Sequence, residues 1–189
     1  AASSNTTGHQ NTALGRNALY YNTTASNNTA VGYAASQNTT TGAGNVAIGF
    51  ESLFINTEGA LNTAIGLCSL RDNTTGCRNT AMGYNSLVLN TTGICNVSIG
   101  RSTLDANTTG GYNTSVGRSA LDANTTASFN TATGYNSLGV NTTGEKNVAF
   151  GASAGESCTT GSRNVFVGES AGFDATDATN ITQSGFSAN

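Results

Sequence analysis

A chain of 189 residues with only 7 Lys and Arg, 10 Asp and Glu and a net charge of -3 lacks the clustered positive charge that phosphate backbones require, which argues against nucleic-acid binding. Its low net charge is also unlike that of disordered chains, while 37% hydrophobic residues, no Trp, no Pro and 24 Gly are too little for a large globular core. What remains is a thin, regular structure whose backbone hydrogen bonds carry much of the order. No apolar run approaches the ~18 residues of a membrane span, so no membrane insertion is expected.

The chain opens with residues 1–10, where NTTGHQ at 5–10 is the tail of an in-phase partial repeat. From 11 to 172 an Asn-x-x-x-Gly unit recurs at Asn11, Asn28, Asn45, Asn62, Asn79, Asn96, Asn113, Asn130, Asn147 and Asn164, always 17 residues apart and without insertion or deletion. Loops tolerate changes in length. A fixed period therefore makes the whole unit one rung, with no part of it a free loop.

Numbered from that Asn, position 5 is Gly from Gly15 to Gly168, and position 3 is small from Ala13 to Ala149, then Phe166. Position 4 is apolar at Leu14, Val31, Ile48, Ile65, Met82, Ile99, Val116, Phe150 and Val167, with Thr133 the exception. Position 9 is Leu at Leu19, Leu53, Leu70, Leu87, Leu104, Leu121 and Leu138, and position 13 is Thr in every repeat, Thr23 to Thr176. Gly at 5 and mostly at 15, with Asn and Thr between, defeats a helix. Alternation at 2–4 reads as a short strand, Gly permits the bend, and a second strand is expected near 8–10 or 12–14. The fold class is all-β: a parallel β-solenoid, or β-roll, of ten 17-residue coils. Stacking sets each Asn over the next in an amide ladder, with positions 4 and 9 as the expected core. Residues 173–189 leave the pattern and read as a cap, a linker or a docking segment.

Chemistry is sparse. The single His, His9, lies outside the full repeats and reads as solvated; no catalytic, metal or cofactor constellation breaks the symmetry, so the chain is not expected to be an enzyme. Asp105 and Asp122 share position 10 of adjacent coils; they read as exposed carboxylates near Arg101 and Arg118, or less readily as a calcium pair. Cys77 and Cys95, one coil plus one residue apart, fall within disulfide reach, which would imply an oxidising setting. Cys68 and Cys158 lie too far apart to bridge within one rod. Asn22, Asn38, Asn73, Asn90, Asn107, Asn124 and Asn141 open Asn-Thr-Thr sequons and are candidate glycosylation sites; the competing reading places them in a ladder. Thr ranks at 13 and 14 suggest an ice-binding face as a lesser alternative.

NVAIG at 45–49, NVSIG at 96–100 and NVAFG at 147–151 resemble the head repeats of trimeric autotransporter adhesins, and the NTAxG units are similar to repeats of phage tail-fibre and surface proteins. The resemblance covers 11–172. It implies a left-handed β-roll, often trimeric, that displays an adhesive or spacer surface. The functional expectation is a structural segment of an extracellular fibre or filament, at a cell or virion surface. Alternatives are a receptor-binding trimeric adhesin and a tail-fibre shaft. The expected partners are further copies, as a trimer or a head-to-tail filament, and a cell-surface or glycan receptor.

Overall fold

The computed structural model describes residues 1–186. Within them the backbone winds as a β-solenoid with one strand per turn. The strands are β1 (Thr12–Leu14), β2 (Thr29–Val31), β3 (Val46–Ile48), β4 (Thr63–Ile65), β5 (Thr80–Met82), β6 (Val97–Ile99), β7 (Thr114–Val116), β8 (Thr131–Thr133), β9 (Val148–Phe150), β10 (Val165–Val167) and β11 (Thr182–Ser184). They form one parallel sheet in sequence order. Register never slips: Ala64 pairs with Ala81 and Ile65 with Met82, as at every other step. Each rung donates to its neighbours, for example Thr63 N to Asn79 O at 2.8 Å and Gly66 N to Ile48 O at 2.8 Å.

Positions 2 to 4 form a strand because Thr, Val and Ile suit a pleated surface. It stops at position 5, where Gly66 takes φ +135° and a Cβ would meet the carbonyl of Gly83 on the next rung. Among the described residues no second strand follows at 8–10 or 12–14, contrary to expectation. Positions 7 and 9 have positive φ, as in Cys68 (54°) and Leu70 (52°), and alternating sign cannot extend as a strand. Backbone pairing continues through these turns nonetheless, with Leu53 N donating to Ser69 O at 3.0 Å and Ile55 N to Arg71 O at 2.9 Å.

The core is narrower than the repeat pattern suggests. Positions 3, 8 and 9 point inward: Ala64, Ser69 and Leu70 are each fully buried. Position 4 does not. Leu14, Ile48, Met82, Ile99, Phe150 and Val167 are exposed at 67%, 38%, 37%, 38%, 60% and 44%, and Val31, Ile65 and Val116 are half-buried. The expected core ladder at position 4 is therefore corrected to position 3. Neighbours in a strand face opposite ways, and the sheet lies so close to the position 8 and 9 turn that it admits Ala. Ser69 Oγ even spans this space to the Ala81 carbonyl at 2.8 Å. The leucines at position 9 are core as expected. Each gains about 2 kcal/mol from burial against about 1–2 kcal/mol for a left-handed backbone, so packing there roughly breaks even and hydrogen bonding decides.

Rungs nine and ten show the same limit inverted. Phe166 replaces Ala at position 3 and is fully buried, while Gly155 and Gly172 replace Leu at position 9; a Cβ on either would collide with the Phe166 ring. The rod also runs further than expected at its C-terminal side. The segment from 173 completes rung ten and begins one more, and β11 pairs in register with β10, Val165 opposite Thr182. Residues 1–10 stack as expected on the first full rung, Ala2 N donating to Ala18 O at 2.8 Å.

Phe166→Ala should destabilise the chain by about 3–5 kcal/mol in urea unfolding. Adding Gly155→Leu and Gly172→Leu, which restores the common core, should recover most of that loss; a triple variant no more stable than the single one would contradict this packing.

Candidate functional site

Two internal columns leave the surface to everything else. The Asn at position 1 is buried in nine of ten repeats, with Asn11 half-buried at the end. Its Oδ1 accepts the backbone N–H of the next Asn, as Asn45 Oδ1 does from Asn62 N at 2.9 Å, and its Nδ2 donates across its own rung, Asn62 to Gly76 O at 2.8 Å. The expected amide stack thus exists mainly as an amide-to-backbone ladder. Position 12 holds the true amide-to-amide column: Asn73 Nδ2 donates to Asn56 Oδ1 at 2.8 Å and Asn90 Nδ2 to Asn73 Oδ1 at 2.8 Å. Thr at position 13 is constant because its hydroxyl donates to the next rung, Thr74 Oγ1 to Thr91 O at 3.0 Å.

This accounts for most sequons. Asn22, Asn73, Asn90, Asn107, Asn124 and Asn141 are fully buried, so as glycan acceptors in the folded chain they are corrected to ladder residues. Asn38 differs. Its sequon starts one residue earlier, at position 11, and it is half-buried at the surface, with Thr39 standing where the ladder amide would be. The position 12 column breaks at Thr39 and at Cys158, and the two acceptors below the breaks, Asn22 Oδ1 and Asn141 Oδ1, are buried without a partner.

The expected Cys77–Cys95 bridge is absent: all four cysteines are free. The backbones do touch, Cys95 N donating to Cys77 O at 3.0 Å. The Cys77 thiol, however, turns along the rod, accepting from Ala60 N at 3.4 Å and donating to Thr75 O at 3.2 Å. Burial raises the pKa of the Cys68 and Cys158 thiols. His9 is exposed.

The outward sheet face is the largest feature that the internal ladders do not use. Thr and Val at position 2 and the apolar column at position 4 run along it. Position 17 borders one side and position 6 the other, both rich in aromatic and basic residues. Tyr33 and Phe50 at position 6 stack at 5.1 Å, and Tyr112 and Phe129 at position 17 at 5.0 Å. Arg16, Arg101 and Arg118 lie over Tyr33, Tyr84 and Tyr135 at 5.9, 5.8 and 5.8 Å. Arg101 and Arg118 therefore rest on aromatic rings rather than on Asp105 and Asp122; among the described residues the one ion pair is Arg71–Asp72, at 2.7 Å.

Around the turn at positions 10 and 11, Leu89, Asp105, Ala106, Asp122 and Ala123 line an open recess of about 340 Å³. Burial raises the pKa of both carboxyls; Arg71 opposes this at Asp105, and Asp105 adds to it at Asp122. No cluster of three or more metal-ligating side chains occurs among the described residues, and no helix there is long and apolar enough to cross a membrane.

Asn73→Ala, which orphans buried partners on two rungs, should cost about 2–4 kcal/mol, whereas Cys158→Asn, which gives Asn141 Oδ1 its missing donor but sets a new amide oxygen against Ala175, should change stability by less than about 1 kcal/mol. Thermal unfolding of the two variants checks both. Compared with known proteins, the chain matches no family model, no curated protein and no solved structure, so a functional reading rests on this surface and on the ladders beneath it.

Proposed function

We propose that this chain is a structural segment of an extracellular fibre, acting as a stiff spacer that displays a repetitive adhesive surface. The observation that carries the reading is the unbroken register of β1 to β11. Ten steps of about 4.8 Å make a rod on the order of 50 Å long. Its rungs hold one another through buried amides, which suits bearing load and presenting a surface. The extracellular placement rests on the resemblance of the NVAIG-type repeats to adhesin heads and tail-fibre proteins.

The outward sheet face supports side-by-side self-association. From position 17 to position 6 it spans about 20 Å by 50 Å, on the order of 1,000 Å², comparable to the ~800 Å² that each partner contributes to a specific interface. The column of exposed apolar residues at position 4 within it is the kind of surface that marks a contact. The lesser ice-binding reading is less well supported. The Thr hydroxyls at position 13 are spent on the next rung, as in Thr91 to Thr108 O at 3.0 Å, so the ranks at 13 and 14 do not form one free Thr face.

Light scattering on the full chain tests the reading. A defined mass of a few times 19.0 kDa, with elongated particles in electron microscopy, is the expected result. A growing, heterogeneous mass would favour the head-to-tail filament, and a compact monomer at high micromolar concentration would count against a self-associating fibre segment.

A further inference from the structure

The cations and the acids of this chain occupy different sides of the rod. Six of the seven Lys and Arg, Arg71 alone excepted, fall at positions 6 and 17 beside the sheet face; of the ten acids only Glu169 joins them. Positions 10 and 11 instead carry Asp72, Asp105, Asp122, Glu156 and Asp174, with Arg71 as the sole cation, and that cation is already paired with Asp72. Arg101, Arg118, Asp105 and Asp122 have no oppositely charged partner within 4 Å among the described residues.

This arrangement decides how two copies can meet. Sheet-to-sheet contact would set the basic borders at 6 and 17 of one copy against the same borders of the other, and like charges across an interface are repelled. Contact between unlike sides escapes that cost and, repeated by rotation about an axis along the rod, can close a ring. The two sides also match in height. Arg101 and Asp105 belong to one rung, and Arg118 and Asp122 to the next. The acidic side has room for the long side chains at position 6, because Ala106 and Ala123 leave the recess open beside Leu89. Its carboxyls are partly desolvated without a full counter-charge in their own chain.

We propose that a second copy lies parallel to the first and in rung register, so that Arg101 and Arg118 of one copy enter the recess of its neighbour and meet Asp105 and Asp122 there. This rests on the self-associating reading above and names the two sides that meet. The position 4 column beside these arginines then borders the exposed apolar residues of position 11, Ile55, Leu89 and Val140, at 37%, 41% and 43%.

The test is charge reversal in the full chain, followed by sedimentation equilibrium with circular dichroism as the check on folding. Arg101→Glu with Arg118→Glu, and separately Asp105→Arg with Asp122→Arg, should each weaken association by about tenfold or more. The fourfold variant, which exchanges the charges, should restore it. Folded double variants that associate like the parent, or a fourfold variant that stays apart, would overturn the pairing while leaving self-association standing. A parent chain that is monomeric throughout would remove the fibre reading and the pairing together. A monomer that co-sediments with phosphatidylserine vesicles, and loses this on Arg101→Glu with Arg118→Glu, would overturn the pairing and assign the face to anionic lipid.

Discussion

The oxygen of a buried ladder amide is satisfied in this rod by a neighbour one turn away. Asn62 Oδ1 waits for the N–H of Asn79, at 2.9 Å, and Asn73 Oδ1 for the amide of Asn90, at 2.8 Å. If the next rung slipped by one residue, both columns would lose their partners and every strand side chain would change face. An unpaired buried polar group costs about 1–3 kcal/mol, and the rod carries two such columns, one unbroken from Asn11 to Asn164 and one interrupted at Thr39 and ending at Asn141. The strict 17-residue period follows. So does the tolerance for the left-handed leucines, whose packing alone adds little.

The same constraint shapes the surface. Once positions 1 and 12 hold amides and 3, 8 and 9 hold a core only an Ala and a Leu deep, no interior remains for larger apolar groups. Ile, Met, Val and Phe at position 4 must face out, and aromatic and basic residues at 6 and 17 line up beside them. Because every rung repeats the last, each outward position becomes a column, and a charge placed twice in succession becomes a two-rung feature. The segregation of cations from acids is thus written in two dimensions by a one-dimensional repeat.

The period, the strand at 2–4, the parallel stack, the leucine column and the in-phase first ten residues were all legible in the sequence, because each is a matter of spacing; that no second strand follows among the described residues was not, since spacing does not show the left-handed backbone at positions 7 and 9. The direction of the strand side chains was not, since T-A-I alternates equally well with Ile inside or with Ala inside. One local signal resolves it: where Phe166 enlarges position 3, Gly155 and Gly172 shrink position 9, so these two positions share the core. The Cys77–Cys95 proximity was read correctly at the backbone and wrongly at the side chain, because spacing says nothing of which way a thiol turns. The sequons misled in a similar way: Asn-Thr-Thr is the pattern of a glycan acceptor and equally of an amide and a hydroxyl that each bond to the next rung. The recess at Asp105 and Asp122 was visible only as a pair of stacked acids, for its shape depends on Ala106 and Ala123, which carry no signal on their own.

The claim that each rung templates the next is tested most directly by deletion. Removing Asn79–Cys95, one whole 17-residue coil, joins Arg78 to Asn96 in phase, whereas removing 79–94 leaves the two halves one residue out of register. Urea unfolding of both, followed by circular dichroism, should show the first folding as a shorter rod in one cooperative transition. The second should lose cooperativity, with its stability reduced by several kcal/mol. Equal stability of the two deletions would contradict the account.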